Sequence, residues 1–154
     1  MSPPPDRADL EAQISVDVRA LTAESEQIGR AFAIQNDLGP NDFRALLHIM
    51  VAESAGTPLT AGQLRTLMGT SGAAITYLVE RMIASGHLRR DADPADRRKV
   101  ILRYADKGSS VGRQFFSPLA GLNTQALADL PDADLAAAHR VFVALTSAMR
   151  AFRP

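Results

Sequence analysis

The sequence predicts a mainly α-helical fold carrying one two-stranded β-hairpin, and three observations predict it. Apolar residues recur at steps of three, four and seven along most of the 154-residue chain. That period lapses once, around a polar loop at 92–99 flanked by His87-Leu88-Arg89-Arg90-Asp91 and the strand-forming run Val100-Ile101-Leu102-Arg103-Tyr104. Gly, Pro and Asp punctuate the helical stretches at 37–40, 55–58, 69–72, 85–86 and 131–132.

Each element follows from its own residues. Leu10, Ile14, Val18, Leu21, Ile28 and Phe32 predict a first helix from Asp6 to about Asn36, broken by Asp37-Leu38-Gly39-Pro40. A second helix is expected from about Asn41, a good N-cap residue, with Phe43, Leu46, Leu47, Met50 and Val51 as its apolar stripe. A short third helix spans Leu59 to Thr70, capped near Thr60, with Leu64, Leu67 and Met68 facing inward. Gly69-Thr70-Ser71-Gly72 is a tight turn, and a fourth helix follows with Ile75, Leu78, Val79, Met82 and Ile83 on one face. It ends at Ser85-Gly86, where glycine takes the left-handed cap conformation. Two short helices joined by a few turn residues read as a helix-turn-helix.

After the hairpin, helical pattern resumes at about Asp106 and runs to about Leu130, with Pro118 the place for a bend. The last helix covers about Asp132 to Phe152, where Leu135, Ala138, Phe142, Leu145, Met149 and Phe152 form one row at alternating steps of three and four. A 3.5-residue repeat is the seam of a helix that pairs with another, but over less than three heptads packing within the chain fits as well.

Composition narrows the function classes. Hydrophobic residues make up 46% and charged residues 22%, ordinary values for a globular chain. A chain of this size hides about 70% of its unfolded surface, enough for a core, and 7–154 is expected to be a single domain. Seventeen Lys and Arg balance seventeen Asp and Glu, which excludes a generally basic, non-specific nucleic-acid coat. The absence of cysteine excludes disulfides, thiolate metal sites, a cysteine nucleophile and thiol redox sensing. With no Trp and 5% aromatics, a carbohydrate-stacking platform is not expected. The start, Met1-Ser2-Pro3-Pro4-Pro5-Asp6, has neither the basic nor the apolar region of a signal peptide and reads as an extended, disordered Pro-rich tail over 1–6. No stretch approaches the roughly 18 apolar residues that span a bilayer, so the expected location is the cytoplasm and no membrane partner is expected.

The zero net charge hides an asymmetry. Residues 1–37 carry seven acids and three bases, whereas residues 81–103 carry seven bases and three acids. A solvated charged hairpin and a phosphate-facing element account for this equally well on composition alone. The surrounding pattern adds that a helix-turn-helix followed by a hairpin with a basic tip is a winged helix-turn-helix. The second helix of such a unit enters a major groove about 12 Å wide with its polar face turned to base edges. The hairpin tip reaches phosphates or the adjacent minor groove, whose negative potential favours arginine. On the helical wheel, Thr70, Ala73, Tyr77, Glu80 and Ala84 lie opposite the apolar face, flanked by Thr76 and Arg81. Ser71 and Thr76 offer hydroxyl donors, Ala73 allows close approach, and Tyr77 reaches a phosphate through its hydroxyl. A plain solvent face explains Ser71 as a cap, but not an exposed tyrosine beside small residues. Glu80 would repel phosphate and is expected to pair with an arginine of the wing.

Residues 41–108 resemble the MarR family, the multiple-antibiotic-resistance regulators. The resemblance is carried by Leu59-Thr60, by Ile75-Thr76-Tyr77-Leu78-Val79-Glu80-Arg81-Met82, by Ser85-Gly86-His87-Leu88-Arg89-Arg90, and above all by Asp93-Pro94-Ala95-Asp96-Arg97-Arg98-Lys99 with Leu102 and Gly108 downstream. The flanking helices match in order and length. The resemblance implies a homodimer shaped like a triangle, with helices at about 7–36 and 106–152 interlocked for dimerisation and Leu10, Ile14, Leu135, Phe142, Leu145 and Met149 in that contact. It implies a repressor of a palindromic operator on double-stranded DNA, released by a small phenolic or other aromatic ligand, with no cofactor. Thr70, Ser71, Ala73, Thr76, Tyr77 and Arg81 would then serve the major groove, Arg97, Arg98 and Lys99 the wing contact, and Glu80 and Asp96 would brace the wing. Two positions depart from the common pattern. Tyr77 stands where many relatives have Arg, which implies a different operator preference, and Ala105 stands where many have Thr, which leaves the cap to Asp106.

The sequence offers three other readings. Gly108-Ser109-Ser110-Val111-Gly112 matches the G-x-S-x-G elbow of serine hydrolases, with Asp129, Asp132 or Asp134 and His139 following in hydrolase order. It lacks the parallel sheet that holds an elbow and a second loop for an oxyanion hole, so no enzyme is expected from Ser110. No metal site is expected either, because His48, His87 and His139 lack paired spacing and read as surface histidines. His48 alone lies near where family members hold ligand, although a satisfied structural histidine is the more ordinary reading. A winged helix used only for protein contact is the remaining alternative, and it has no need of three adjacent cations at 97–99.

Overall fold

The computed structural model describes residues 6–152. The expected Pro-rich tail falls mostly on residues 1–5, outside the described residues, while Asp6 accepts a hydrogen bond from the Asp9 N–H (2.9 Å) and caps the first helix. The elements are α1 (Arg7–Gln35), α2 (Pro40–Ser54), α3 (Ala61–Met68), α4 (Gly72–Ala84), β1 (Leu88–Ala92), β2 (Val100–Tyr104), α5 (Asp106–Leu127) and α6 (Asp132–Phe152). They fall into two compact units, one running to Arg113 and the other starting at Gln114.

The first unit holds the core. α1 ends at Asn36, and Asp37 turns the chain in the left-handed region (φ 54°). Asn41 does not cap α2, contrary to expectation. Pro40, with its φ preset and no N–H to satisfy, starts the helix one residue earlier, and Asp42 reaches back to accept from the Gly39 N–H at 2.7 Å. α2 buries Asp42, Ala45, Leu46 and Ile49. The expected stripe therefore turns out to be rotated, because Leu47, Met50 and Val51 are 42–49% exposed. Phe43 packs its ring 5.6 Å from that of Phe32 and so ties α2 to α1.

α3 opens with a reciprocal cap in which Thr60 accepts from Gln63 N–H (3.2 Å) and Gln63 accepts from Thr60 N–H (2.8 Å). Leu64 is fully buried, whereas Leu67, expected to face inward, is 37% exposed. Gly69 closes α3 at φ 61°, where a Cβ would be strained. Ser71 then caps α4 through the Ala74 N–H (3.2 Å), so three residues separate the two helices. α4 buries Ile75, Leu78, Val79 and Met82 in the period expected.

β1 and β2 pair antiparallel with Leu88 opposite Tyr104 and Ala92 opposite Val100. Leu88, Ile101 and Leu102 are each 1% exposed, and the Leu102 N–H donates to the Leu59 carbonyl (2.7 Å), which anchors the hairpin beside α3. The second unit contains the rest of α5, which continues through Pro118 and stops at Leu127 rather than Leu130, and all of α6. No residue of α6 is buried.

His87 is the main correction among the histidines. Expected at the surface, it is 2% exposed, because the chain turns inward after Gly86 and places the ring before β1. Its Nδ1 lies 2.8 Å from Ser85 Oγ, and its Nε2 is buried without a hydrogen-bond partner among the described residues. Burial first, and then the Lys107 charge, hold its pKa below the ordinary value, with Asp42 opposing. The unfolded chain therefore binds more protons as pH falls below about 6.5, and the stability this histidine contributes is present above that pH and lost below it. Thermal melts should therefore shift to lower temperature as the pH is taken from neutral down through this range. His87→Leu should flatten that dependence; an unchanged slope would assign it to another group.

Candidate nucleic-acid interface

The outer face of α4 stands clear of the core. Ser71, Ala73, Thr76, Tyr77, Glu80 and Arg81 are exposed, and Thr70 is half-buried at the turn. Ser71 uses an oxygen lone pair as a cap and so keeps its O–H to donate. Thr76 does not, because its hydroxyl donates to the Gly72 carbonyl at 2.8 Å, which leaves its methyl and an acceptor facing outward. Tyr77 is 70% exposed, an unusual position for a tyrosine without a partner surface.

Arg81 is the member of the expected contact set that also has a partner inside the protein. Its guanidinium donates to Asp42, whose side chain is completely buried on α2, and its central carbon lies 5.8 Å from the Tyr77 ring centroid. Burial of the carboxylate demands this cation, and a group so engaged is committed before any phosphate arrives. Nothing in local sequence pattern announces a pair separated by 39 residues. The available signal was an acid interrupting the apolar face of α2.

Glu80 accepts from Arg90 Nη2 at 2.6 Å, and this hydrogen bond, followed by the charge of Arg90, lowers the pKa of the Glu80 carboxyl. The pair joins the exposed face of α4 to β1. Arg89 is held by Asp91 (3.1 Å), and Arg103 by Glu53 (3.0 Å) and Asp91 (3.5 Å). Tyr104 completes this brace. Its hydroxyl donates to the Leu46 carbonyl at 2.7 Å, and burial, aided by Glu53, pushes its pKa upward. These contacts between the hairpin and α2 were not foreseen, because they join residues 50 to 58 apart.

The remaining bases differ. Arg97, Arg98 and Lys99 are exposed in the loop between β1 and β2, and among the described residues no side chain pairs with theirs. The loop itself is stiffened from within. Asp93 accepts from Ala95 N–H (2.8 Å), Asp96 accepts from Arg98 N–H (3.1 Å) through its side chain, and the Asp96 carbonyl accepts from Lys99 N–H (2.9 Å). Of the seven bases at 81–103, four are spent on internal carboxylates and three are presented to solvent on a braced turn. Composition left the charge excess ambiguous, and this division resolves where its free portion sits.

The other candidates fare differently. Leu10 (44%), Phe142 (49%) and Met149 (56%) are exposed, while Ile14, Leu135 and Leu145 are half-buried in the single chain. His48 is half-buried on α2 and does not line the open cleft of about 450 Å³ formed by Met50, Glu53, Ser54, Arg89, Tyr104 and Ser109. Ala105 occupies the capping position of α5, its carbonyl accepting from Ser109 N–H (2.9 Å), so Asp106 is the first helical residue rather than the cap. Its charge still favours the helix N-terminus from there. Ser110 lies on α5 without a parallel sheet among the described residues. Gly108 has a packing reason of its own, since a Cβ there would lie 2.3 Å from the His87 carbonyl oxygen. Among the described residues, no cluster of metal-ligating side chains forms, and no helix is long and apolar enough to cross a membrane.

Comparison with known proteins agrees with this fold. Residues 36–99 match the model of the MarR family. The chain is 30% identical over 114 residues to the uncharacterized HTH-type transcriptional regulator YcgE of Bacillus subtilis (strain 168), covering 74% of this chain and 71% of that protein. Among solved structures, a MarR family protein from Bacillus stearothermophilus superposes with a TM-score of 0.64 at 22% identity, over 95% of this chain and 99% of the other. The S. aureus MepR–DNA complex matches with a TM-score of 0.52 at 15% identity, over 88% and 98%.

Proposed function

This chain belongs to the MarR family of transcriptional regulators, and from that premise we propose that it is a homodimeric, sequence-specific repressor of a palindromic operator, released by a small aromatic ligand. Its family and relatives are regulators, not enzymes, and the first glycine of the hydrolase-like motif, Gly108, has a packing reason to be there. The observation that carries the reading is the division of the hairpin's charge, with Arg97, Arg98 and Lys99 left unpaired on a braced turn beside an α4 face that exposes Ser71, Ala73 and Tyr77. A protein-contact wing gains nothing from three cations kept free of internal partners, whereas a phosphate-facing wing needs them. α4 supplies the base-edge contacts, and the wing reaches the neighbouring minor groove. MepR has been seen bound to DNA, and its likeness to this chain supports the same docking mode here. The work is done beside DNA, in the cytoplasm.

The test is fluorescence anisotropy of a labelled duplex titrated with protein across a range of salt. Binding whose log K falls steeply with log salt, by about 0.9 for each phosphate contact, is the expected result. The absence of binding at low salt would overturn the reading in favour of a protein-contact domain. With an operator in hand, phenolic carboxylates should lower the affinity; indifference to all of them would remove the ligand from the proposal.

A further inference from the structure

We propose that Asp42, acting through Arg81, is a positioning residue that fixes the Tyr77 ring on the DNA-facing side of α4; the proposal rests on the reading of α4 as the helix that meets DNA. Asp42 is 0% exposed, yet both its oxygens are used. Oδ2 accepts from the Gly39 N–H at 2.7 Å, at the corner where α1 gives way to α2, and Oδ1 accepts from Arg81 Nη2 on α4. Arg81 is part-exposed, its side chain 44% accessible, and its guanidinium lies over the Tyr77 ring at 5.8 Å from the centroid.

A buried carboxylate is an expensive way to fill space. The cap on the Gly39 N–H uses one oxygen of Asp42, and the other is met by a guanidinium that is itself 44% accessible, so the pair ties the buried end of α2 to the exposed face of α4. What it arranges is visible one turn away. Tyr77 and Arg81 stand four residues apart on α4, and a 70% exposed tyrosine otherwise samples several rotamers. A guanidinium tethered at one end to the core restrains the ring by cation–π attraction at the other, which lowers the entropy lost when Tyr77 meets DNA. The sequence placed Arg81 among the DNA contacts; the geometry makes it a link between the core and Tyr77.

The experiment is a double-mutant cycle on DNA affinity, using a labelled duplex selected from a random pool by the wild-type protein. Arg81→Lys keeps the charge and the partner of Asp42 while losing the planar group over the ring. It should weaken binding by about two- to fivefold. In a Tyr77→Ala background the same change should do nothing, because the group it acts on is gone. A second arm removes the cation altogether without stranding a buried charge, by combining Asp42→Asn with Arg81→Met. That variant should show the same Tyr77-dependent loss and an unchanged salt slope. An equal loss with and without Tyr77 would overturn the proposal. So would a slope reduced by about one contact in the second arm, which would make Arg81 a phosphate ligand. A Tyr77→Ala protein that binds like wild type would also overturn it, by removing the role of Tyr77 at the DNA, a failure distinguishable from additivity in the cycle.

Discussion

Replacing Phe142 and Leu145 together with glutamate yields a monomer that has lost DNA binding while its winged helix stays folded. The expectation comes from α6 itself. It buries no residue within the chain, and its row of Leu135, Phe142, Leu145, Met149 and Phe152 includes side chains 49%, 56% and 89% exposed at Phe142, Met149 and Phe152. A helix with that much apolar surface in water is stabilised by a partner. Two buried carboxylates from each protomer, four in the pairing seam, cost several kcal/mol, beyond what an ordinary dimer contact tolerates. The loss of affinity follows from linkage of two half-sites. Reading both together raises affinity by about 10²–10⁴ over one alone, so a monomer falls by that factor. Sedimentation measures the oligomeric state and anisotropy the binding. A dimer that survives the substitutions, or a monomer that binds as tightly as wild type, contradicts the assignment of α6 to dimerisation.

Arg97→Ala and Arg98→Ala each weaken operator binding by about 1–3 kcal/mol, roughly 5- to 150-fold, and lower the salt slope by about one where the lost contact is a phosphate. Neither change should move the melting temperature, because among the described residues neither side chain has a partner and the turn is held by Asp93 and Asp96 instead. The contrast is Arg90→Ala, which removes the partner of Glu80, 2.6 Å away, and frees a carboxylate on the face turned to DNA. A wing variant with wild-type affinity and slope would take the hairpin out of the mechanism.

The secondary structure was legible because its two periods are unambiguous. The stripe Ile75, Leu78, Val79 and Met82 and the turn signals at Gly69 and Gly86 define α4 without tertiary help, and the structure buries those residues. α2 is less transparent. Its sequence carries two overlapping apolar stripes, and periodicity does not say which of them faces the chain's own core. Ala45 and Ile49 face it, while Leu47, Met50 and Val51 do not. Long-range polar pairs were invisible for a related reason. Asp42 with Arg81, and Glu53 with Arg103, join residues 39 and 50 positions apart, and no local pattern encodes a partner at that distance. The burial of His87 is not legible either, because a single histidine between a turn and a strand has no period to reveal it. For the candidate site, the sequence supplied the members and the structure sorted them, separating the unpaired Arg97, Arg98 and Lys99 from the engaged Arg81, Arg89, Arg90 and Arg103.

The central claim is that this chain reads DNA as a symmetric pair of winged helices. Selection of bound duplexes from a random pool, at low and moderate salt, tests it most directly. The expected result is enrichment of a palindrome whose half-sites lie about one helical turn apart, with the preference persisting at the higher salt. Binding that enriches no motif, or no binding at either salt, contradicts it.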